Sequence, residues 1–212
     1  STALAGALYS REGGAISGNS DELLDRCYAF HSCGRATGTV KGWGSFTRGS
    51  NYRMMHMQAS MLLQQFDKLV KQTEIRRQNA DYLIAGLNEI PGITPARLPQ
   101  NSRAVWHLFP MRYDAKQFGG LSRSGFIKAL GAEGIPASGG YHEQYNDGLL
   151  DEAIGSRGFQ RLFSAKRLKD YRESFKELTG NRQVCETTVC MYQSMLLAER
   201  SDMDQIIGAV RK

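Results

Sequence analysis

Residues 19–33 carry the first clear periodic signal in the chain. Asn19-Ser-Asp-Glu22 supplies helix-start chemistry, and Leu23, Leu24, Cys27 and Phe30 then recur on one helical face as far as Cys33-Gly34. Ahead of it, Glu12-Gly-Gly-Ala-Ile-Ser17 predicts a turn and a short strand. Behind it, residues 34–50 are glycine-rich and lack any apolar period, which predicts a long loop. Met54, Met57, Met61 and Leu62 then return at the spacing of one helix face. Residues 53–89 read as mostly helical, with Asp67 expected to divide the run into two helices. The second of these is polar through residues 71–79, so much of it should face water or a partner. Pro91-Gly92 ends the run, while Pro95 and Pro99 keep the next stretch extended. That is the expected boundary between two lobes, residues 1–90 and 91–212.

The second half alternates between the two periods. Residues 105–113 predict a strand and residues 122–132 a helix carrying Phe126, Ile127 and Leu130. Gly134-Ile-Pro-Ala-Ser-Gly-Gly140 predicts a strand running into a glycine turn. Residues 141–165 look irregular and residues 166–178 helical. Residues 184–197 suit one or two strands or a short helix. Ser201-Asp-Met-Asp204 resembles a capping box, after which Met203, Ile206, Ile207 and Val210 share a face. Strands and helices in this order predict a small α/β lobe with a partly antiparallel sheet.

Composition narrows the class. The chain has 212 residues, of which 41% are hydrophobic and 23% charged, the balance of a globular protein. No apolar run approaches the roughly 18 residues of a membrane span. Residues 1–8 lack the basic region of a secretory signal. The four cysteines have no CxxC spacing and read as buried reduced thiols, consistent with a cytoplasmic setting. No His, Cys, Asp or Glu grouping has metal spacing, so no metal is expected. The net charge of +6 could attract phosphorylated or nucleotide-linked substrates, or nucleic acid. Its densest run, residues 157–176, is interrupted by Asp170 and Glu173 and reads as a solvated helix face. It lacks the aromatic interleaving of a nucleic-acid motif.

Candidate chemistry centres on Gly49-Ser-Asn-Tyr-Arg-Met54, a flexible loop delivering an amide, a phenol and a guanidinium to a helix start, where anions are favoured. This run, with the Gln-Ala helix behind it, resembles the DegT/DnrJ/EryC1/StrS sugar aminotransferase family. Four further motifs follow the family in order: Glu12-Gly-Gly-Ala-Ile16, Trp106-His-Leu-Phe-Pro110, Gly134-Ile-Pro136 and the closing helix over residues 203–212. The resemblance implies an α/β fold, the C-terminal portion of a fold type I aminotransferase. Residues 1–90 would finish the large domain and supply long linking helices, and residues 91–212 would form the small domain. It also implies pyridoxal 5'-phosphate as cofactor and a homodimer in which Asn51 touches the partner subunit's cofactor phosphate. The same register lays Ser1 on the family's phosphate-binding serine. Arg53, His107, Tyr141 and His142 would be substrate-side residues.

One departure from the family is chemical. The register puts Gly6 on the Schiff-base lysine, and no lysine precedes Lys41. Glycine has no amine to attach a cofactor or to carry a proton. The acid at the pyridine nitrogen and the main phosphate loop would lie upstream of Ser1. The resemblance therefore implies amino transfer from glutamate or glutamine to a keto sugar or keto cyclitol, here in a truncated or lysine-less chain. The alternative is a non-catalytic dimerisation or interaction protein derived from the same fold. Neither reading calls for nucleic acid or a membrane.

Overall fold

The computed structural model describes residues 13–39 and 47–212. The chain divides into two compact units, Ser1–Glu74 and Ile75–Lys212. The division falls inside a helix, rather than at the Pro91-Gly92 turn where the sequence suggests a boundary.

In the first unit, helix α1 spans Asp21–His31 and starts where the sequence predicts, with the Ser20 hydroxyl accepting from the Leu23 amide at 3.3 Å. Asp21 and Glu22 sit in its first turn and His31 in its last, both favourable to the helix dipole. The expected strand over residues 13–17 does not form. These residues are irregular and exposed, because no other described segment pairs with them. Helix α2 spans His56–Leu87 without a break. Asp67 does not divide it: its carboxylate is exposed, and a solvated mid-helix Asp costs only about 0.7 kcal/mol or less, too little to interrupt a helix held along its length.

The helix face marked by Met54, Met57 and Met61 is exposed rather than buried within this chain. Met57 is 73% exposed, and Met54, Met61, Leu63, Phe66 and Val70 are exposed with it. The buried face of α2 comes later, at Ala80, Leu83 and Leu87.

The second unit is built on a four-stranded antiparallel sheet of order β1-β2-β4-β3. The strands are β1 (Ile93–Pro95), β2 (Leu108–Tyr113), β3 (Ala137–Ser138) and β4 (Thr188–Tyr192). Phe109 pairs with Met191 and Met111 with Val189, so four buried side chains from the two central strands share one face. Helix α3 (Arg123–Ala132) adds Phe126 and Leu130 to this core, and helix α8 (Arg200–Arg211) adds Met203, Ile206 and Val210. Burying a side chain of this size contributes about 1.5–3 kcal/mol.

Strand β2 begins at Leu108 rather than at residue 105. Trp106 has φ of 47°, a left-handed backbone that ends extension, while its indole is buried against Phe109 at 5.3 Å between centroids. Packing of that ring offsets the backbone strain. Residues 141–165 are more regular than expected, forming α4 (Leu149–Gly155) and α5 (Arg157–Leu162). Two more helices follow, α6 (Ala165–Ser174) and α7 (Thr179–Thr187), before β4. The capping box of α8 uses Glu199 and Asp202, two residues earlier than Ser201 and Asp204. All four cysteines are free, but only Cys190 is buried, and Cys33 is exposed.

Candidate functional site

Ser1, Gly6 and Glu12 lie outside the described residues, so the structure bears on the remaining candidates. In the first unit, the loop carrying Asn51 is strapped to the end of α1. Cys33 takes φ of 61° and reverses the chain after the helix. Its amide donates to Ser50 O at 3.1 Å, Ser50 N donates to Phe30 O at 3.0 Å, and Tyr52 N donates to His31 O at 2.9 Å. Ser32 and Asn51 thereby form an isolated antiparallel bridge. Gly49 is required at this crossing: a Cβ there would press on the Phe30 carbonyl oxygen and lie 2.7 Å from the Gly34 amide nitrogen.

The three polar side chains of the loop have different fates. Tyr52 lies parallel to Phe30, 5.9 Å away and inclined by 14°. Arg53 has no carboxylate partner among the described residues, although its charge suggests one. Its Nη2 donates to the Ser32 hydroxyl at 2.6 Å. Asn51 Oδ1 accepts weakly from the Arg53 amide at 3.4 Å, and the residue is exposed. The loop therefore presents one exposed amide and a guanidinium fixed by a single hydroxyl. That set suits an anion contact.

A second strap in this unit closes the loop after α1. The Asp25 carboxylate accepts from the Thr39 amide at 2.5 Å, and this hydrogen bond holds its pKa below the usual value.

In the second unit the register of the sheet separates the remaining candidates. Leu108 lies opposite Tyr192, so His107 stands beyond the C-terminal end of β4. Ser138 lies opposite Cys190, and β3 runs antiparallel, so Gly139, Gly140 and Tyr141 lead past the other end of that strand. Continuing the two registers, His107 and Tyr141 fall six residues apart along β4, about 20 Å at roughly 3.4 Å per residue, and on opposite sides of that strand. Tyr141 and His142 are adjacent and exposed, and His142 Nε2 is paired with Asp147 Oδ1. His107 is exposed as well.

Two arginines that the sequence did not single out hold the Tyr141–His142 segment in place. Arg123 stands first in α3, where a cation opposes the helix dipole. Its Nη1 turns away to the carbonyls of Gly139 (3.1 Å), Cys185 (2.5 Å) and Thr188 (3.1 Å). It thus joins the turn after β3 to the end of α7 and the start of β4. Arg182 on α7 donates to Glu143 Oε1 at 3.2 Å, and Glu143 also accepts from Tyr145 Oη at 2.5 Å and Asn146 Nδ2 at 3.0 Å. The hydrogen bond to Glu143 raises the Tyr145 pKa, and burial adds to the shift. Burial also pushes the Cys190 thiol up, opposed by the charge of Arg123. No local pattern marks Arg123 as a clamp, because Cys185 and Thr188 lie 62 and 65 residues away.

Among the described residues no group of His, Cys, Asp and Glu could hold a metal, and no helix is long and apolar enough to cross a membrane. The residues fit pyridoxal phosphate only in part. The exposed Asn51 amide can donate to a phosphate oxygen. In the register that the family resemblance implies, the position of the anchoring amine is Gly6, which has none.

Comparison with known proteins gives a consistent picture. Residues 7–158 match the model of the DegT/DnrJ/EryC1/StrS aminotransferase family. The chain is 28% identical over 212 residues to a putative L-glutamine:3-amino-2,3-dideoxy-scyllo-inosose aminotransferase of Streptoalloteichus tenebrarius, covering 97% of this chain and 50% of that protein. It is 27% identical to the spore coat polysaccharide biosynthesis protein SpsC of Bacillus subtilis, again over 96% of this chain and 50% of the relative. Among solved structures it is similar to 3-amino-5-hydroxybenzoic acid synthase, with TM-score 0.68 and 19% identity over 97% of this chain and 50% of that one. It is also similar to Helicobacter pylori PseC, an aminotransferase of pseudaminic acid biosynthesis, with TM-score 0.64 and 19% identity over 96% and 49%. The chain spans about half the length of the curated relatives it matches.

Proposed function

Because this chain belongs to the DegT/DnrJ/EryC1/StrS aminotransferase family, we propose that it contributes phosphate-side and substrate-side residues to a pyridoxal-phosphate-dependent amino transfer. The amino donor is glutamine or glutamate and the acceptor a keto sugar or keto cyclitol. The relatives named as glutamine-dependent inosose aminotransferases support this substrate class. The observation that carries the reading is the strapped loop, which keeps Asn51 exposed while Arg53 is braced on Ser32. In this reading Asn51 donates to the cofactor phosphate across a homodimer, and Ser1 is the second phosphate contact. Arg53, His107, Tyr141 and His142 face the substrate. In this reading His107, far from Tyr141 and His142, contacts a different part of the substrate or a different substrate molecule.

The chain's own residues do not supply the Schiff-base amine at position 6. Purified chain mixed with pyridoxal phosphate is therefore expected to give no internal-aldimine absorbance. Borohydride fixation of the cofactor on one specific lysine would overturn the lysine-less assignment. The alternative, a non-catalytic interaction protein of the same fold in a cytoplasmic setting, is favoured by one observation: the exposed apolar positions Met57, Met61, Phe66 and Val70 on α2. Methionine adapts to irregular apolar partners. Pyridoxal phosphate binding that weakens on Asn51→Ala supports the first reading. Dimerisation without any cofactor affinity supports the second.

A further inference from the structure

Helices α5 and α6 lie almost wholly beyond the residues matched by the family model. Their sequence sets aromatic side chains among cations. Ser156 and Ser164 fix the two helix starts, accepting from the amides of Phe159 at 3.3 Å and Arg167 at 3.2 Å. Between the helices is a cavity of about 500 Å³ lined by Phe159, Phe163, Arg167, Leu168 and Tyr171, with Lys166, Asp170 and Ser164 completing it. Leu168 is buried, whereas Phe159, Phe163 and Tyr171 are 37%, 38% and 47% exposed. The Phe159 and Phe163 rings are inclined by 56° with centroids 5.7 Å apart, so they do not stack face to face on each other.

Charge selects the occupant. Lys166 Nζ is paired with Asp170 Oδ2 at 2.6 Å, so those two charges cancel. Arg167 has no carboxylate partner among the described residues, and its guanidinium lies 5.7 Å from the Phe163 centroid. The cavity therefore combines half-exposed rings with one uncompensated, planar cation. An apolar neutral molecule would leave that cation unanswered, and a small hydrophilic anion would leave the rings wet. A cavity of this size falls within the range of small-molecule sites.

We propose that the α5–α6 cavity binds a small flat apolar anion, of the aromatic carboxylate class, with its body among Phe159, Phe163 and Tyr171 and its anionic group on Arg167. The anion–guanidinium contact supplies orientation and the rings supply most of the burial.

Calorimetric titration of the full chain with naphthoate, with neutral naphthamide and with acetate tests this. Naphthoate is expected to bind saturably at one site, naphthamide about tenfold more weakly, and acetate not at all. Arg167→Gln should weaken naphthoate by about tenfold and leave naphthamide unchanged, while Phe163→Ala should weaken both. Arg167 is exposed, so its variant keeps the test open if Phe163→Ala fails to fold. Amide exchange should slow at residues 157–171 in the loaded protein. Equal naphthoate binding by Arg167→Gln, protection confined to another region, or no saturable binding overturns the proposal. Protection of residues 157–171 that rises with protein concentration, without added anion, also overturns it by assigning the cavity to a second copy of the chain.

Discussion

Both amide hydrogens of Asn79 are committed, to the carbonyls of Leu196 at 3.0 Å and Ala198 at 2.9 Å, although the residue sits in a helix and is buried. Removing the donors strands two acceptors in an apolar surround. Asn79→Ala is expected to cost about 1–3 kcal/mol, read as a lowered urea midpoint at unchanged slope. Gly49 is a second case of single-residue constraint. Gly49→Ala should push the loop off α1, and hydrogen exchange should accelerate at residues 30–34 and 50–52. Asp25 makes a pH-dependent strap. Its folded pKa lies below the unfolded value of about 3.9, so the carboxylate form stabilises the fold above that pH. The contribution fades as pH falls through the lower, folded pKa. Protection of the Thr39 amide should therefore drop on acidification below about pH 4, and Asp25→Asn should remove that dependence on pH. None of these three roles follows from residue type alone. Asn79 occupies a place where the sequence suggests a solvated polar stretch, and only the segment over residues 196–198 makes it a core residue.

Elements were legible where their signals are local. Ser20 and Ser122 cap the helices that the sequence predicts, and the buried face of α8 is the predicted Met203, Ile206 and Val210, without the partly buried Ile207. The errors came where a weak local preference met a stronger tertiary term. A single exposed Asp did not interrupt α2, and a left-handed Trp106 shortened β2. Helices α4 and α5 appeared in a stretch with little amphipathic contrast. Pro110 sits inside the central strand β2, an unusual place for a residue without an amide hydrogen. Its carbonyl accepts from Ala96 at 3.2 Å, so its nitrogen points to the same side, just past the end of β1 at Pro95. The pairing with β4 keeps its hydrogen bonds. At the start of α8, Glu199 N donates to Asp202 Oδ2 at 2.9 Å. Glu199→Ala should lower stability by about 1 kcal/mol, measured by denaturant unfolding, while Ser201→Ala should have little effect.

At the scale of the molecule, α2 exposes five large apolar side chains over residues 57–70, with Met57 and Met61 on one side and Leu63, Phe66 and Val70 on the other. Phe66 and Val70, four residues apart on one side of the helix, are proposed as part of a dimer face, and the double substitution Phe66→Glu and Val70→Glu is expected to shift the chain to monomer in sedimentation, with little change in the far-ultraviolet helix signal. A wild-type chain that is strictly monomeric at micromolar concentration would count against both that face and a cross-subunit role for Asn51. The sequence by itself determined the capped starts of α1 and α3, the buried face of α8 and the family motifs. All of these are properties of neighbours along the chain or of residue chemistry. Tertiary structure decided which polar groups are partnered and which candidates share a surface. It braced Arg53 on Ser32, made Arg123 a clamp across segments more than sixty residues apart, and set His107 and Tyr141 at opposite ends of one sheet. Hydrogen-bond partners and strand register are long-range quantities, fixed only when the core closes and each buried donor must find an acceptor.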